Sequence, residues 1–145
     1  FPDIPLRIVV ADIRDRCRIE RVFEQYAPDV VFHGAAHKHV HLMEFDYEEA
    51  ISNNISGTDV LVNAALKFGT DRFVVISTDK SVSPTGMMGA SKRMSSLLVR
   101  HAGRESGRAF LAVRFGNVLG SRGSVVPFFK RHRAPRFPGV SFTHF

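Results

Sequence analysis

"RFVVISTDKSVSPTGMMGASKR", residues 72–93, decides the fold. After Arg72 come four apolar residues, three of them β-branched, the pattern of a buried strand. The polar run Ser77, Thr78, Asp79 and Lys80 marks the strand's carboxyl end. Pro84 and Gly86 make a loop, and a helix is expected from about Met87 to Arg104. Working outward, the same strand-then-helix unit recurs. Upstream, residues 30–33 (VVFH) read as a strand ending in Gly34, Ala35 and Ala36, followed by a loop carrying His37, Lys38, His39 and His41. A long helix is then expected over about 47–68, closed by Gly69, with Ala50, Ile51, Asn54, Ile55, Leu61, Val62 and Leu66 on its buried side. Earlier still, residues 7–11 (RIVVA) predict a strand ending at Asp12. Asp15 caps a helix through about Tyr26, and Pro28 stops it. Downstream, residues 110–114 (FLAVR) predict a fourth strand, with a short helix near Ser124. Short apolar strands alternating with long helices predict an α/β fold: a parallel, doubly wound sheet with helices on both faces.

The composition sets bounds. A chain of 145 residues with 44% hydrophobic residues suits one globular domain. No apolar run approaches the roughly 18 residues of a membrane helix, and no signal peptide is expected. The single cysteine, Cys17, rules out an internal disulfide and suits a reducing compartment. The net charge of +6 suggests a nucleic-acid binder until it is mapped. Seven bases lie beyond the last acid, Glu105; without them thirteen bases face fourteen acids. The body is near neutral, so no nucleic-acid partner is expected. Residues 131–145 carry two prolines and no acid, and read as an irregular tail after a first segment of residues 1–130.

In parallel sheets ligands bind beyond the carboxyl ends of the strands. Four polar or small-residue clusters fall at such ends: Asp12; Gly34, Ala35 and Ala36; residues 77–80; Gly116 and Asn117. Small residues at 34–36 admit a flat ligand or, alternatively, tight strand–helix packing. Asp12 reads as an acceptor for an adenine amino group or as a turn cap. His33, His37, His39 and His41 lack the closed geometry of a metal site, so no metal is expected and solvated loop positions are. Lys92 lies one helical turn after Met88, so the two share a face. That is the spacing of a Tyr-x-x-x-Lys pair, with methionine in the tyrosine's place.

"ADIRD", "HGAAHKHV", "NNISGT", "STDKSVSPTGMMGASKR" and "VRFGNVLGSRGSVVPFFK" together resemble the consecutive motifs of the nucleotide-sugar 4,6-dehydratases. These are extended short-chain dehydrogenase/reductases of the capsule and polysaccharide biosynthesis (CapD-like) group, lyases acting on UDP-N-acetylglucosamine. The resemblance implies a Rossmann-type sheet and NAD as cofactor. NAD takes hydride from carbon 4 of the sugar, water leaves across carbons 5 and 6, and hydride returns to carbon 6. It also implies the roles. Lys80 is the base at carbon 5, which requires a pKa lowered toward neutrality. Asp79 is the acid at the 6-hydroxyl, which requires a raised pKa. Thr78, Met88 and Lys92 complete the catalytic set. Asp12, Ile13, Ala35, Ala36, Asn54 and Lys92 fall on the cofactor side; Lys38, Asn117, Ser121 and Arg122 fall on the substrate side. Met88 marks the methionine-type branch, whose members are anchored to the membrane. With no proton on Met88, the 4-hydroxyl proton must leave through Lys92, Thr78 or a water.

The match departs from the family at both ends. No glycine-rich phosphate loop precedes residue 7, and after Lys130 the resemblance stops. The expected architecture is therefore a partial Rossmann sheet lacking the first strand-helix-strand unit and the substrate lobe. The chain alone is expected to be weakly folded and inactive. A cytoplasmic location is expected, with the intact protein a homo-oligomer anchored at the cytoplasmic face of the inner membrane through a missing N-terminal region. The alternative is a non-catalytic Rossmann fragment serving as a weak nucleotide-binding or interaction domain.

Overall fold

The computed structural model describes residues 5–116 and Val118. The chain divides into two compact units, Phe1–Arg114 and Phe115–Phe145. The first holds all the described helices and nearly all of the sheet. Asn117, Ser121, Arg122 and the segment 131–145 lie outside the described residues, as does the short helix expected near Ser124.

Helix α1 spans Arg16–Tyr26. Asp15 caps it as expected, its carboxylate accepting from the Arg18 amide at 2.9 Å. Ala27 ends it in the left-handed region, at φ 37°. Strand β1 is Val30–His33. Helix α2, Val40–Phe45, occupies part of the region expected as loop, so His41 is helical. The long helix expected over 47–68 is three pieces: α3 (Tyr47–Glu49), a π-helical segment (Ala50–Ser56) and α4 (Gly57–Lys67). Gly69 follows α4 at φ 82°, and the Thr70 amide donates back to the Ala65 carbonyl at 2.9 Å. Strand β2, Arg72–Thr78, runs two residues beyond the expected strand end, so Thr78 is the last strand residue. Helix α5, Met87–Ser106, and strand β3, Ala109–Phe115, fall within two residues of expectation.

The π segment changes which residues point inward. Its wider turn bonds i to i+5 and shifts the angular phase of the side chains. Ile51, expected inside, is exposed, while Asn54 has no accessible surface.

The sheet has three strands in the order β1-β2-β3. Strands β1 and β2 run parallel, with Val31 opposite Phe73 and His33 opposite Val75. Side chains alternate across a strand, so Val31, His33, Phe73 and Val75 share one face. One core cluster joins that face to α1 (Ile19, Phe23), α4 (Leu61, Val62, Ala64, Ala65), α5 (Val99, Ala102) and Phe110 of β3. The described helices thus supply one of the two expected faces. On the other, Phe32 is 74% exposed.

Residues 7–11 form no strand; Ile8 and Val10 are almost wholly exposed. An extended segment becomes a strand only by pairing its backbone, and among the described residues nothing pairs with this one. Among the described residues no helix is long and apolar enough to cross a membrane.

Candidate active site

The polar residues 77–80 lie where β2 gives way to a short 3-10 turn, Asp79–Ser81. Thr78 Oγ1 donates to Asp79 Oδ1 at 2.8 Å, and the Lys80 amide donates to the same oxygen at 2.8 Å. The Lys80 ammonium sits 3.5 Å from that carboxylate, and both side chains are about half exposed. Two donors stabilise the ionised form, so Asp79 has its pKa lowered, first by the Thr78 hydroxyl and then by the Lys80 amide. The raised pKa expected for an acid is thus not found in this geometry, because the carboxylate is solvated and already hydrogen-bonded. Lys80 is likewise surface-placed and ion-paired rather than buried, contrary to the desolvation its expected role requires.

Lys92 is the buried lysine. It is 8% exposed, and its Nζ donates to the Ile76 carbonyl at 2.6 Å, beneath the end of β2. Burial lowers its pKa to about 8. The expected result is a Lys92 amine that titrates near pH 8 in pH-dependent acylation read by mass spectrometry, against about 10.4 for a free lysine. The unfolded chain binds this proton more tightly than the fold does. Stability therefore rises as pH climbs from about 8 to about 10.4, and the penalty is complete below 8. A Lys92 midpoint near 10 would contradict the buried geometry.

Met88 faces the same way as Lys92, as the spacing predicted, and is 4% exposed. Its side chain packs with Met43 of α2 and Ala50 of the π segment. Gly89 lets α5 approach the turn: a Cβ there would stand 2.6 Å from the Lys80 carbonyl oxygen.

Asn54 is a buried bracket. Its Oδ1 accepts from the His37 amide at 2.8 Å; its Nδ2 donates to the His37 carbonyl at 3.2 Å and to Ser91 Oγ at 3.0 Å. It ties the loop after β1 to α5. The Asn54 carbonyl accepts from Thr58 Oγ1 and from Ser95 Oγ.

His33 is not a solvated loop histidine. It is 3% exposed, its ring edge lies on Phe73, and its Nε2 is 2.9 Å from Thr58 Oγ1. Thr58 gives its one proton to the Asn54 carbonyl, so its oxygen accepts and His33 Nε2 donates. Burial first, and the Lys92 charge second, lower the His33 pKa to about 4, so the ring is neutral at pH 7. His37 Nε2 pairs with Glu49 Oε1 at 3.1 Å, and the neighbouring Lys38 is exposed. Among the described residues no cluster of histidine, cysteine and carboxylates is arranged to hold a metal.

An open cleft of about 620 Å³ lies beyond the carboxyl end of β1, lined by Asp12, Ile13, Arg14, Ala35, Ala36 and Asn53 among others. Asp12 is held by the Arg14 guanidinium, which lowers its pKa to about 2. Arg14 also reaches Glu49, at 3.0 Å. Sequence reasoning missed Arg14, Glu49 and the buried serines of α5. Ser91, Ser95 and Ser96 recur with Met88, Lys92 and Val99 at helical spacing, and that periodicity was the available signal.

The sequence model of the family described as "Polysaccharide biosynthesis protein" matches residues 3–144. The chain is 50% identical over 135 residues to "Probable polysaccharide biosynthesis protein EpsC" of Bacillus subtilis, covering 93% of this chain and 22% of that protein. It is 38% identical over 129 residues to a "UDP-N-acetylglucosamine 4,6-dehydratase (inverting)" of Campylobacter jejuni, covering 87% of this chain and 38% of that one. Among solved structures it superposes on a dTDP-glucose 4,6-dehydratase (DesIV double mutant) of Streptomyces venezuelae, described with NAD and DAU bound. There the TM-score is 0.72, the identity 28%, and the coverage 77% of this chain and 38% of the other. Proteins named UDP-glucose 4-epimerase are similar as well, one from Rickettsia rickettsii at 40% identity over 127 residues, 86% of this chain and 37% of that one. The chain therefore spans between a fifth and two fifths of the length of these relatives.

Proposed function

Because the chain belongs to the polysaccharide biosynthesis protein family, we propose that it is the catalytic segment of a nucleotide-sugar 4,6-dehydratase acting on UDP-N-acetylglucosamine. One observation carries this reading. A hydroxyl, a carboxylate and an amine (Thr78, Asp79, Lys80) stand together at the end of β2, and a second amine, on Lys92, is buried under the same strand end.

NAD, when bound, would supply the hydride acceptor and donor. The cleft after β1 suits its adenosine half. The floor at 34–36 is Gly-Ala-Ala, with no side chain larger than a methyl, and the space over Gly34 is open, with nothing within 4 Å of where a Cβ would stand. Asp12, Ile13, Ala35 and Ala36 line the cleft and would hold it. Asn54 would support that wall from behind, through both backbone groups of His37.

Lys80, an ion-paired and half-exposed ammonium in this geometry, must first give its proton to solvent; as the amine it then takes the proton from carbon 5 of the 4-keto sugar and later returns it there. Asp79 gives a proton to the leaving 6-hydroxyl. Its carboxylate is ionised in this geometry, so it must first be protonated. Thr78 Oγ1, 2.8 Å from Oδ1, offers the path by which the substrate's 4-hydroxyl proton reaches it. That path needs nothing from Met88, whose thioether carries no proton. Lys92, whose amine loses its proton near pH 8, would hold the nicotinamide side.

The test is incubation of the intact protein with UDP-N-acetylglucosamine and NAD. A 4-keto-6-deoxy sugar is expected. The epimerase relatives favour a second reading, in which the product is the carbon-4 epimer with its 6-hydroxyl retained. Recovery of unchanged substrate, with intact folded protein, would overturn both and leave a nucleotide-binding role.

A further inference from the structure

Three buried serines join the parts of the site. Ser77 lies near the end of β2 and is 4% exposed; Ser81 closes the turn that carries Asp79 and Lys80 and is 0% exposed; Ser96, one turn beyond Lys92 on α5, is 1% exposed. Their hydroxyls form a directed chain. Ser96 Oγ donates to Ser77 Oγ at 3.0 Å, Ser77 Oγ to Ser81 Oγ at 3.2 Å, and Ser81 Oγ to the Thr78 carbonyl at 2.6 Å. Ser96 also has the Lys92 carbonyl within 2.8 Å.

We propose that Ser77, Ser81 and Ser96 are a positioning clasp that fixes the distance between the Asp79–Ser81 turn and the Lys92 turn of α5. The clasp rests on the dehydratase reading for its catalytic consequence, but not for its structural one.

Proton accounting supports a clasp rather than incidental filling. Three hydroxyls carry three protons, and each has an acceptor within the chain. Buried polar groups persist where they are satisfied, and satisfied networks hold one arrangement. The three serines also fall on three different elements, whereas a serine that only bonds back within its own helix fixes nothing beyond it. Gly89 completes the fit by letting α5 lie against the Lys80 carbonyl. The result is a rigid triangle of strand end, turn and helix. Asp79 and Lys80 project from one corner and Lys92 from another. Displacements of about 1 Å in such a constellation cost about 100-fold in rate.

The middle hydroxyl gives a clean experiment. In Ser77→Ala, Ser96 turns its proton to the Lys92 carbonyl, already within 2.8 Å, and Ser81 keeps the Thr78 carbonyl. Folding should therefore change little while the tie between helix and turn is cut. Two quantities are read on the intact protein. Dehydration kcat is expected to fall about 10- to 100-fold, with KM within about twofold of the parent. The acylation midpoint of Lys92 is expected to rise, because a loosened helix admits water to an amine now held dry against Ile76. The charged or titratable neighbours at that amine include neutral His33 from β1, which the variant leaves in place. Ser77→Thr, which restores a hydroxyl, should recover part of both effects. If Ser77→Ala does not accumulate as folded protein, Ser96→Ala reads the same two quantities. Parental kcat together with an unmoved Lys92 midpoint would overturn the clasp. If the parent makes no dehydration product, the dehydratase reading falls and the Lys92 midpoint alone decides the clasp.

Discussion

On the dehydratase reading, Lys80→Ala and Asp79→Asn each lower dehydration turnover by about 10²–10⁴-fold in the intact protein, while NAD affinity stays near the parental value. The reason is spatial as well as chemical. Both side chains project from the turn after β2 and contact each other, whereas the cleft that would hold adenosine lies after β1 and is lined by neither. Alanine at 80 removes the only amine on the turn. Asparagine at 79 keeps the shape and the Thr78 contact but cannot carry a proton to a leaving hydroxyl. Met88→Leu should keep most activity, since Met88 packs against Met43 and Ala50 and is assigned no proton. The measurement is steady-state turnover beside NAD titration for each variant. Near-parental turnover in Lys80→Ala or Asp79→Asn would remove that residue from the mechanism; a Met88→Leu loss as deep as theirs would give methionine a part in it.

Asn54→Ala should be the most damaging single change to stability among the site residues, at about 2–5 kcal/mol. Asn54 has no exposed surface. Its amide satisfies the His37 amide and carbonyl and meets Ser91 and Asn53. Alanine leaves the two half-buried backbone groups of His37 without this partner, and each such group costs about 1–3 kcal/mol where no other partner replaces the bond. Ser91 is cushioned, because its hydroxyl still has the Met88 carbonyl. Asn54→Asp should do no better: the acceptor survives, the donor is lost, and a charge is buried without a counter-ion. Urea unfolding measures this through the shift of midpoint at constant slope. A loss below about 1 kcal/mol would mean that the loop after β1 is held by something else.

Much of the fold was legible because it rests on local pattern. Strand β2 and helix α5 announce themselves by an apolar run, a proline and glycine loop, and a helical stripe. Asp15 declares its helix by capping chemistry. Residues 7–11 have the same strand pattern and do not form one, because pairing depends on a neighbouring backbone that no run of side chains specifies. The π segment left no trace either, since its hydrogen-bond offset changes angular phase without changing composition. His33 reads with the histidine-rich loop beside it, yet alternation along β1 places it on the inward face with Val31, opposite Val75. In the site, the types and spacing of Thr78, Asp79, Lys80 and Lys92 were visible, but not which lysine is buried. The serine chain depends on a bond between Ser77 and Ser96, 19 positions apart, where sequence proximity says nothing.

The wide turn at Ala50–Ser56 lets one continuous rod answer to two masters. Upstream of α4 the rod must present Ala50 to Met43 and Met88; downstream it must present Leu61, Val62 and Ala65 to the sheet. A uniform α-helix would fix the angle between those two demands for good. The change of pitch works as a gear between them, so each packing surface keeps its own phase. Asn54 sits inside the gear, where the backbone carbonyl is open enough to take two hydroxyls at once. The segment therefore tolerates drift on either of its clients more readily than any change in its own residue count, since adding or removing one residue would turn the two surfaces out of mesh with each other.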